Sequence, residues 1–172
     1  MSITLDIRKG SLSELPEIMT VVNLCMHKLR AQNITQWDDL YPTDDQFKAD
    51  LQAHNLFVAL HEGEIIGTIS IATEQPPEYQ TIAWHHSGKV VTVHRLCVNP
   101  EWWGQGIASS LMDYVENWAF AQTYSGMRLD TYSDNHSAIR LYDSRSYRLA
   151  GKVFFPRRAK PFYCFEKNLY AN

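Results

Sequence analysis

Apolar and polar positions alternate over residues 3–8, which predicts a short strand. A helical period follows. Ile18, Val21, Val22, Cys25, Met26 and Leu29 recur three and four apart and form one apolar stripe. Ser13 is a candidate cap there, with Pro16 in the first turn. Residues 36–42, QWDDLYP, break the period, and Thr43 with Gln46 then has the form of a capping box for a helix through Phe47 and Leu51. Two strands come next, Leu56 to His61 and Glu64 to Thr73, joined by Glu62-Gly63 as a tight hairpin turn.

Residues 74–89 carry two prolines and predict a loop. Val90 to Val98 is an apolar, β-branched run that stops at Asn99-Pro100. Ile107, Leu111, Val115, Trp118 and Ala119 share one helical face. Met127 to Tyr132 predicts a strand, residues 133–147 a loop and short helix, and residues 148–155 and 161–169 two closing strands. Hairpins first and helical crossovers later imply a mixed sheet with helices on both faces.

The chain has 172 residues, which predicts one domain over 1–172. With 45% hydrophobic and 20% charged residues it can bury a core without a metal or disulfide staple. A net charge of −3 argues against general nucleic-acid binding. Cys25, Cys97 and Cys164 are odd in number and far apart, which suits a reducing cytoplasm. Asp6, Arg8 and Lys9 argue against a signal peptide, and no apolar run is long enough for a membrane span. His85 and His86 lack metal-ligand spacing, so no metal is expected and a wet loop is the reading there. Arg157, Arg158 and Lys160 read as a solvated turn. Oligomeric state is not legible, and a homodimer stays open beside a monomer.

The chemistry concentrates where a strand ends, a Gly-rich turn follows and a helix begins, around Gly104 and Gly106. Free backbone N–H groups at a helix start, and the helix dipole, favour an anion, and glycine lets it approach closely. The P-loop ending Gly-Lys-Ser/Thr is absent, and Ser109 stands where a dinucleotide fingerprint has its third glycine. Two glycines at a turn are more often only a turn.

Leu96-Cys97-Val98-Asn99-Pro100, then Trp103-Gly104-Gln105-Gly106-Ile107-Ala108 and Leu111, resemble the most diagnostic stretch of the GNAT superfamily of N-acetyltransferases. Asn135, Ala138, Leu141-Tyr142 and Ser146-Tyr147 resemble its second signature. The order and separation match, and the upstream layout extends the resemblance over nearly the whole chain. Trp103 departs from the family's Arg or Gln, and Ser146 from its Gly.

The resemblance implies an α+β acyl-CoA N-acyltransferase fold, with a central mixed, mostly antiparallel sheet flanked by helices on both faces. It implies acetyl-CoA as donor, held by Leu96, Cys97 and Val98 of the strand, by Trp103, Gly104, Gln105, Gly106, Ile107, Ala108 and Ser109 of the turn, and by Asn135 and Tyr142. Tyr142 would protonate the leaving thiolate, and His94 would help deprotonate the amine. Arg140 and Arg145 are weaker candidates for the 3′-phosphate. Trp37, Asp38 and Tyr41 are the expected acceptor-binding residues, where acids beside aromatics could hold a cationic amine.

The reading is therefore acetyl transfer to a primary amine on a small molecule, a peptide N-terminus or a lysine. Two alternatives keep the fold, a noncatalytic acyl-CoA-binding module and an N-acyltransferase for another acyl-CoA. A third is a protein that binds a different phosphate-bearing nucleotide.

Overall fold

The computed structural model describes residues 3–171. The strands are β1 (Asp6–Lys9), β2 (Leu56–His61), β3 (Glu64–Ala72), β4 (Val90–Val98), β5 (Gly126–Tyr132), β6 (Arg148–Val153) and β7 (Phe162–Asn168). The helices are α1 (Leu15–Ala31), α2 (Asp44–Gln52), α3 (Ile107–Ala121) and α4 (His136–Ser144). Strands are hydrogen-bonded in the order β1-β2-β3-β4-β5-β7-β6. β1-β2, β2-β3, β5-β7 and β6-β7 are antiparallel and β4-β5 is parallel, so the sheet is mixed and mostly antiparallel.

Two compact units divide the chain, the first holding residues 1–33, 37–71 and 95–115, the second 34–36, 72–94 and 116–172. In the first unit, α1 buries Ile18, Met19, Val21, Val22, Cys25 and Leu29, so Met19 joins the predicted stripe while Met26 is only half-buried. Its entry differs from the expectation. A short 3₁₀ turn, Leu12–Glu14, precedes it and is capped by Ser11, whose N–H donates to Glu14 Oε2 at 2.8 Å, and Glu14 is the N-cap residue of α1. Thr43 and Gln46 cap α2 as expected, with Thr43 N–H donating to Gln46 Oε1 at 2.7 Å. The β2-β3 turn places Glu62 and Gly63 at φ +51° and +86°, the left-handed pair a two-residue hairpin requires.

Gly67 of β3 makes a close approach possible in the same unit. A Cβ there would lie 3.1 Å from Leu111 Cδ1 of α3 and 3.3 Å from the Cys97 carbonyl of β4. The packing that seats α3 beside β4 thus rests on a missing side chain.

In the second unit, β5 pairs with β7 from Gly126↔Asn168 to Tyr132↔Phe162. β4 pairs with β5 only from Val90↔Gly126 to Thr92↔Arg128. Residues 74–89 are more ordered than a wet loop. A 3₁₀ turn, Pro77–Thr81, buries Tyr79 in a cluster with Tyr132, Val153, Phe162 and Cys164.

Candidate active site

In the first unit, the end of β4 is not a regular strand. Arg95 has φ +51°, a left-handed conformation that costs a non-glycine residue energy. The alternation that would place His94 and Leu96 on one face fails there, and His94, Arg95 and Leu96 are all half-buried. Arg95 is held by the Asp50 carboxylate, with Nη2–Oδ1 2.7 Å and Nε–Oδ2 2.8 Å, and donates to the Tyr41 hydroxyl at 3.2 Å. Burial opposes its charge, but Tyr41 and Asp50 outweigh that and raise its pKa. Sequence reasoning missed this residue, because nothing in an arginine's position announces a left-handed torsion.

Cys97 is buried, and its thiol is pushed well above the ordinary range by the neighbouring Cys25 thiol and by burial. The Val98 carbonyl accepts the Trp103 indole N–H at 2.8 Å. Trp103 therefore closes the strand end with its side chain, where the resemblance had put an Arg or Gln.

Gly104 and Gly106 have φ +77° and +82°, and a Cβ on either would meet nothing within 4 Å. The first intrahelical bond of α3 is Ser110 N–H to the Gly106 carbonyl at 2.9 Å. The helix itself offers no acceptor to the amides of Ile107 and Ala108, which precede that bond. A left-handed turn with open space above it and unspent amides behind it fits an anionic group such as a pyrophosphate. Gln105 is exposed and donates to the Glu101 carbonyl at 3.2 Å.

Of the expected acceptor residues, Trp37 lies in the core at 6% exposure, which leaves little of its ring for a substrate. Asp38 and Tyr41 form a backbone bridge, with Asp38 N–H to the Tyr41 carbonyl at 2.9 Å. A hollow of about 440 Å³ is lined by Met19, Met26, Asp38, Asp39, Asp44 and Asp45, among others. Asp39 also accepts from Arg30 at 2.8 Å.

The second unit holds the remaining residues. Asn135 is the N-cap of α4, and its Oδ1 accepts from Ala138 N–H at 3.2 Å. Its Nδ2 donates to Gln36 Oε1 at 2.9 Å. Gln36 also accepts from Thr131 Oγ1 at 3.3 Å and, through its carbonyl, from Arg158 Nε at 3.0 Å. Tyr142 is buried against Tyr147 and Phe165, each 5.9 Å between ring centroids. Burial, then the Asp130 charge, pushes its phenol pKa up, so it stays protonated and able to donate.

Several surface side chains have defined partners. His85 is exposed, as a wet loop predicts, but the backbone N–H groups of His85 and His86 donate to the buried Glu166 carboxylate at 2.8 and 3.2 Å. Arg158 is tied to Gln36 as above, and Lys160 pairs with Asp134 at 2.7 Å. Arg145 is committed to Glu116 at 3.1 Å, which removes it as a simple phosphate ligand, whereas Arg140 is exposed and donates to Ser137 Oγ at 3.2 Å. Among the described residues no group of three or more metal-ligating side chains occurs, and no helix is long and apolar enough to cross a membrane.

Residues 22–147 match the model of the acetyltransferase (GNAT) family. The chain is 22% identical over 143 residues to streptothricin acetyltransferase of Escherichia coli, covering 83% of this chain and 74% of that protein. It is 31% identical over 112 residues to N-acetyltransferase family 8 member 2 of Rattus norvegicus, covering 64% of this chain but only 46% of that protein. Among solved structures, a GNAT-family acetyltransferase from Streptococcus agalactiae superposes with a TM-score of 0.82 at 19% identity over 95% of both chains. The PaiA N-acetyltransferase of Thermoplasma acidophilum, solved with coenzyme A, superposes with a TM-score of 0.73 at 15% identity, over 96% of this chain and 99% of that one.

Proposed function

Because the chain belongs to the GNAT family of acetyltransferases, we propose that it acts as one domain that moves the acetyl group of acetyl-CoA directly to a primary amine. The observation that carries the donor is the turn at Gly104 and Gly106, whose torsions, open space and amide supply suit a pyrophosphate. A relative solved with coenzyme A supports the same choice. The acceptor is read as a cationic amine, in keeping with the carboxylates around the hollow at Asp38 and Asp44.

In this reading residues 104–109 hold the pyrophosphate, and Leu96, Cys97 and Val98 line the pantetheine arm through their main chain. The Val98 carbonyl already serves Trp103, so the strand's other main-chain groups carry most of that contact. An alkylammonium with a pKa near ~10.4 must lose a proton before it attacks. The nitrogen then bonds the acetyl carbon, negative charge develops on the carbonyl oxygen, and a strand N–H stabilises it. The carbon–sulfur bond breaks, and the Tyr142 phenol supplies the proton the thiolate needs. Asn135 contributes chiefly by fixing the start of α4, since both ends of its side-chain amide are already bonded.

The test is thermal unfolding with acetyl-CoA, CoA, ATP and NAD, followed by an amine panel read as free thiol. A ligand at a hundredfold excess over its Kd adds about 2.7 kcal/mol of stability. A rise with acetyl-CoA and CoA, and thiol release with an amine, is the expected result. A rise with ATP or NAD alone overturns the donor assignment.

A further inference from the structure

One face of the second unit carries polar groups that the reaction above leaves unused. Thr92 is opposite Arg128 in the parallel register, and it is the last pair before β4 and β5 stop bonding. Register partners share a face, as do residues two apart, so Thr92, His94, Arg128 and Asp130 lie on the same side. Thr92 is fully buried, yet its Oγ1 has no partner, and neither has Arg128 Nε. Buried orphans of this kind ask for a water or a ligand atom. Asp130 Oδ2 accepts the Tyr79 hydroxyl at 2.6 Å. No hydrogen bond to its Oδ1 is found among the described residues, and Asp130 is only half-buried.

We propose that Asp130 takes the proton from the acceptor ammonium, with Tyr79 as the positioning residue that fixes its carboxylate. The proposal rests on the acetyltransferase reading above. Two protons leave the nitrogen over the reaction. Asp130 Oδ1 accepts the first, which frees the lone pair that bonds the acetyl carbon. The second leaves after addition, while the departing sulfur keeps the electron pair of the broken bond and receives a proton from Tyr142, which is then reprotonated. Asp130 returns its proton to solvent. The net products are the N-acetyl amine, CoA thiol and one proton.

The environment suits the task. Burial raises the Asp130 pKa to about 6, opposed by the Tyr79 hydrogen bond and assisted by Glu78. Titratable groups face it from every packed element. These are Glu78 and Tyr79 of the 3₁₀ turn, Arg128 and Tyr132 of its own strand, His94 of β4, Cys164 and Glu166 of β7, and Tyr142 of α4. β6 presents Gly151 opposite Cys164 and the charged Arg148 opposite Glu166. Arg128 is held off by other partners, donating to Gln75 Oε1 and the His86 carbonyl and covering Trp84 at 4.3 Å.

The experiment measures kcat/KM against pH for wild type, Asp130→Asn and Tyr79→Phe, with tryptamine, spermidine and L-lysine as acceptors. Asp130→Asn should lower kcat/KM by about 10²–10⁴-fold and remove the acid limb. Tyr79→Phe deletes a bond that favours the carboxylate, so its limb should move to higher pH while activity above that limb falls far less. A wild-type limb that persists in Asp130→Asn at comparable rate overturns the proposal. A ¹³C-carboxyl NMR titration of Asp130 decides it even if none of the three amines reacts. A midpoint near 6 that rises in Tyr79→Phe supports it, and an ordinary carboxylate midpoint overturns it. Failure of wild type to bind acetyl-CoA overturns the acetyltransferase reading instead, which separates the two failures.

Discussion

Asn135 and Gln36, ninety-nine positions apart, share one hydrogen bond of 2.9 Å, and it occupies the side-chain amide that the sequence motif points to as a cofactor ligand. Asn135 uses its oxygen to cap α4 and its nitrogen to hold Gln36. Removing the cap should cost about 1 kcal/mol, since an N-cap Asn is worth roughly that over Ala. Gln36→Ala should cost a similar ~1 kcal/mol from its lost bonds to Asn135 and Thr131. The two losses share a bond, so urea unfolding of Asn135→Ala, Gln36→Ala and the double variant should show coupling of about 0.5 kcal/mol or more. Strict additivity would mean that the contact contributes nothing.

Trp103 gives a second expectation. Its indole N–H satisfies the Val98 carbonyl at the end of β4. Trp103→Phe keeps most of the ring and deletes the donor, so stability should fall by about 1 kcal/mol. The strand end that the bond fixes also leads into the Gly104 turn. The variant should therefore show a smaller thermal shift with acetyl-CoA than wild type at the same concentration. An unchanged shift would separate the strand end from donor binding.

Much of this was legible in the sequence because periodicity reports burial directly. The α1 stripe, the Thr43-Gln46 cap and the Glu62-Gly63 turn are local patterns, and each appears where the residues require it. The Gly104 and Gly106 turn was legible for the same reason, since glycine marks left-handed torsions. Ser146 shows the converse. It has φ +64°, which accounts for the family's glycine there, and this chain tolerates the torsion with a serine. What the sequence hid depends on tertiary partners. The bend at Arg95 needs Asp50 and Tyr41, the order of residues 85 and 86 needs Glu166, and the Asp130 carboxylate is raised by tertiary burial and held by Tyr79, fifty-one positions away. None of these pairs has a spacing that a linear pattern can reveal.

Tyr142 tests the acid step. Its ring packs on Tyr147 and Phe165 and is buried, so Tyr142→Phe retains the packing. If the phenol protonates the thiolate, kcat should fall by about 10²-fold or more, with acetyl-CoA affinity nearly unchanged. Steady-state rates with calorimetric binding of acetyl-CoA check both halves. Equal rates in the two proteins would remove Tyr142 from the acid step.

Stability against pH carries the last expectation, because two carboxyls act with opposite sign. Arg8 donates to Glu14 and lowers its pKa to about 2. Between that value and the ordinary 4.5 the unfolded chain binds more protons, so stability falls as pH drops through this range and is fully present above it. Half-exposed Arg8 is partly screened, which limits the contribution to about 1 kcal/mol. Asp130 is raised to about 6 from 3.8, so between these values the folded chain binds more protons and its stability falls as pH rises. Urea unfolding from pH 3 to 8 should show Glu14→Gln losing stability relative to wild type near neutral pH, with the difference closing toward pH 3. Asp130→Asn should gain relative to wild type as pH rises from 4 to 7. A constant difference for Asp130→Asn across that interval would mean that its carboxyl titrates alike in both states, and the elevated pKa would be gone with it.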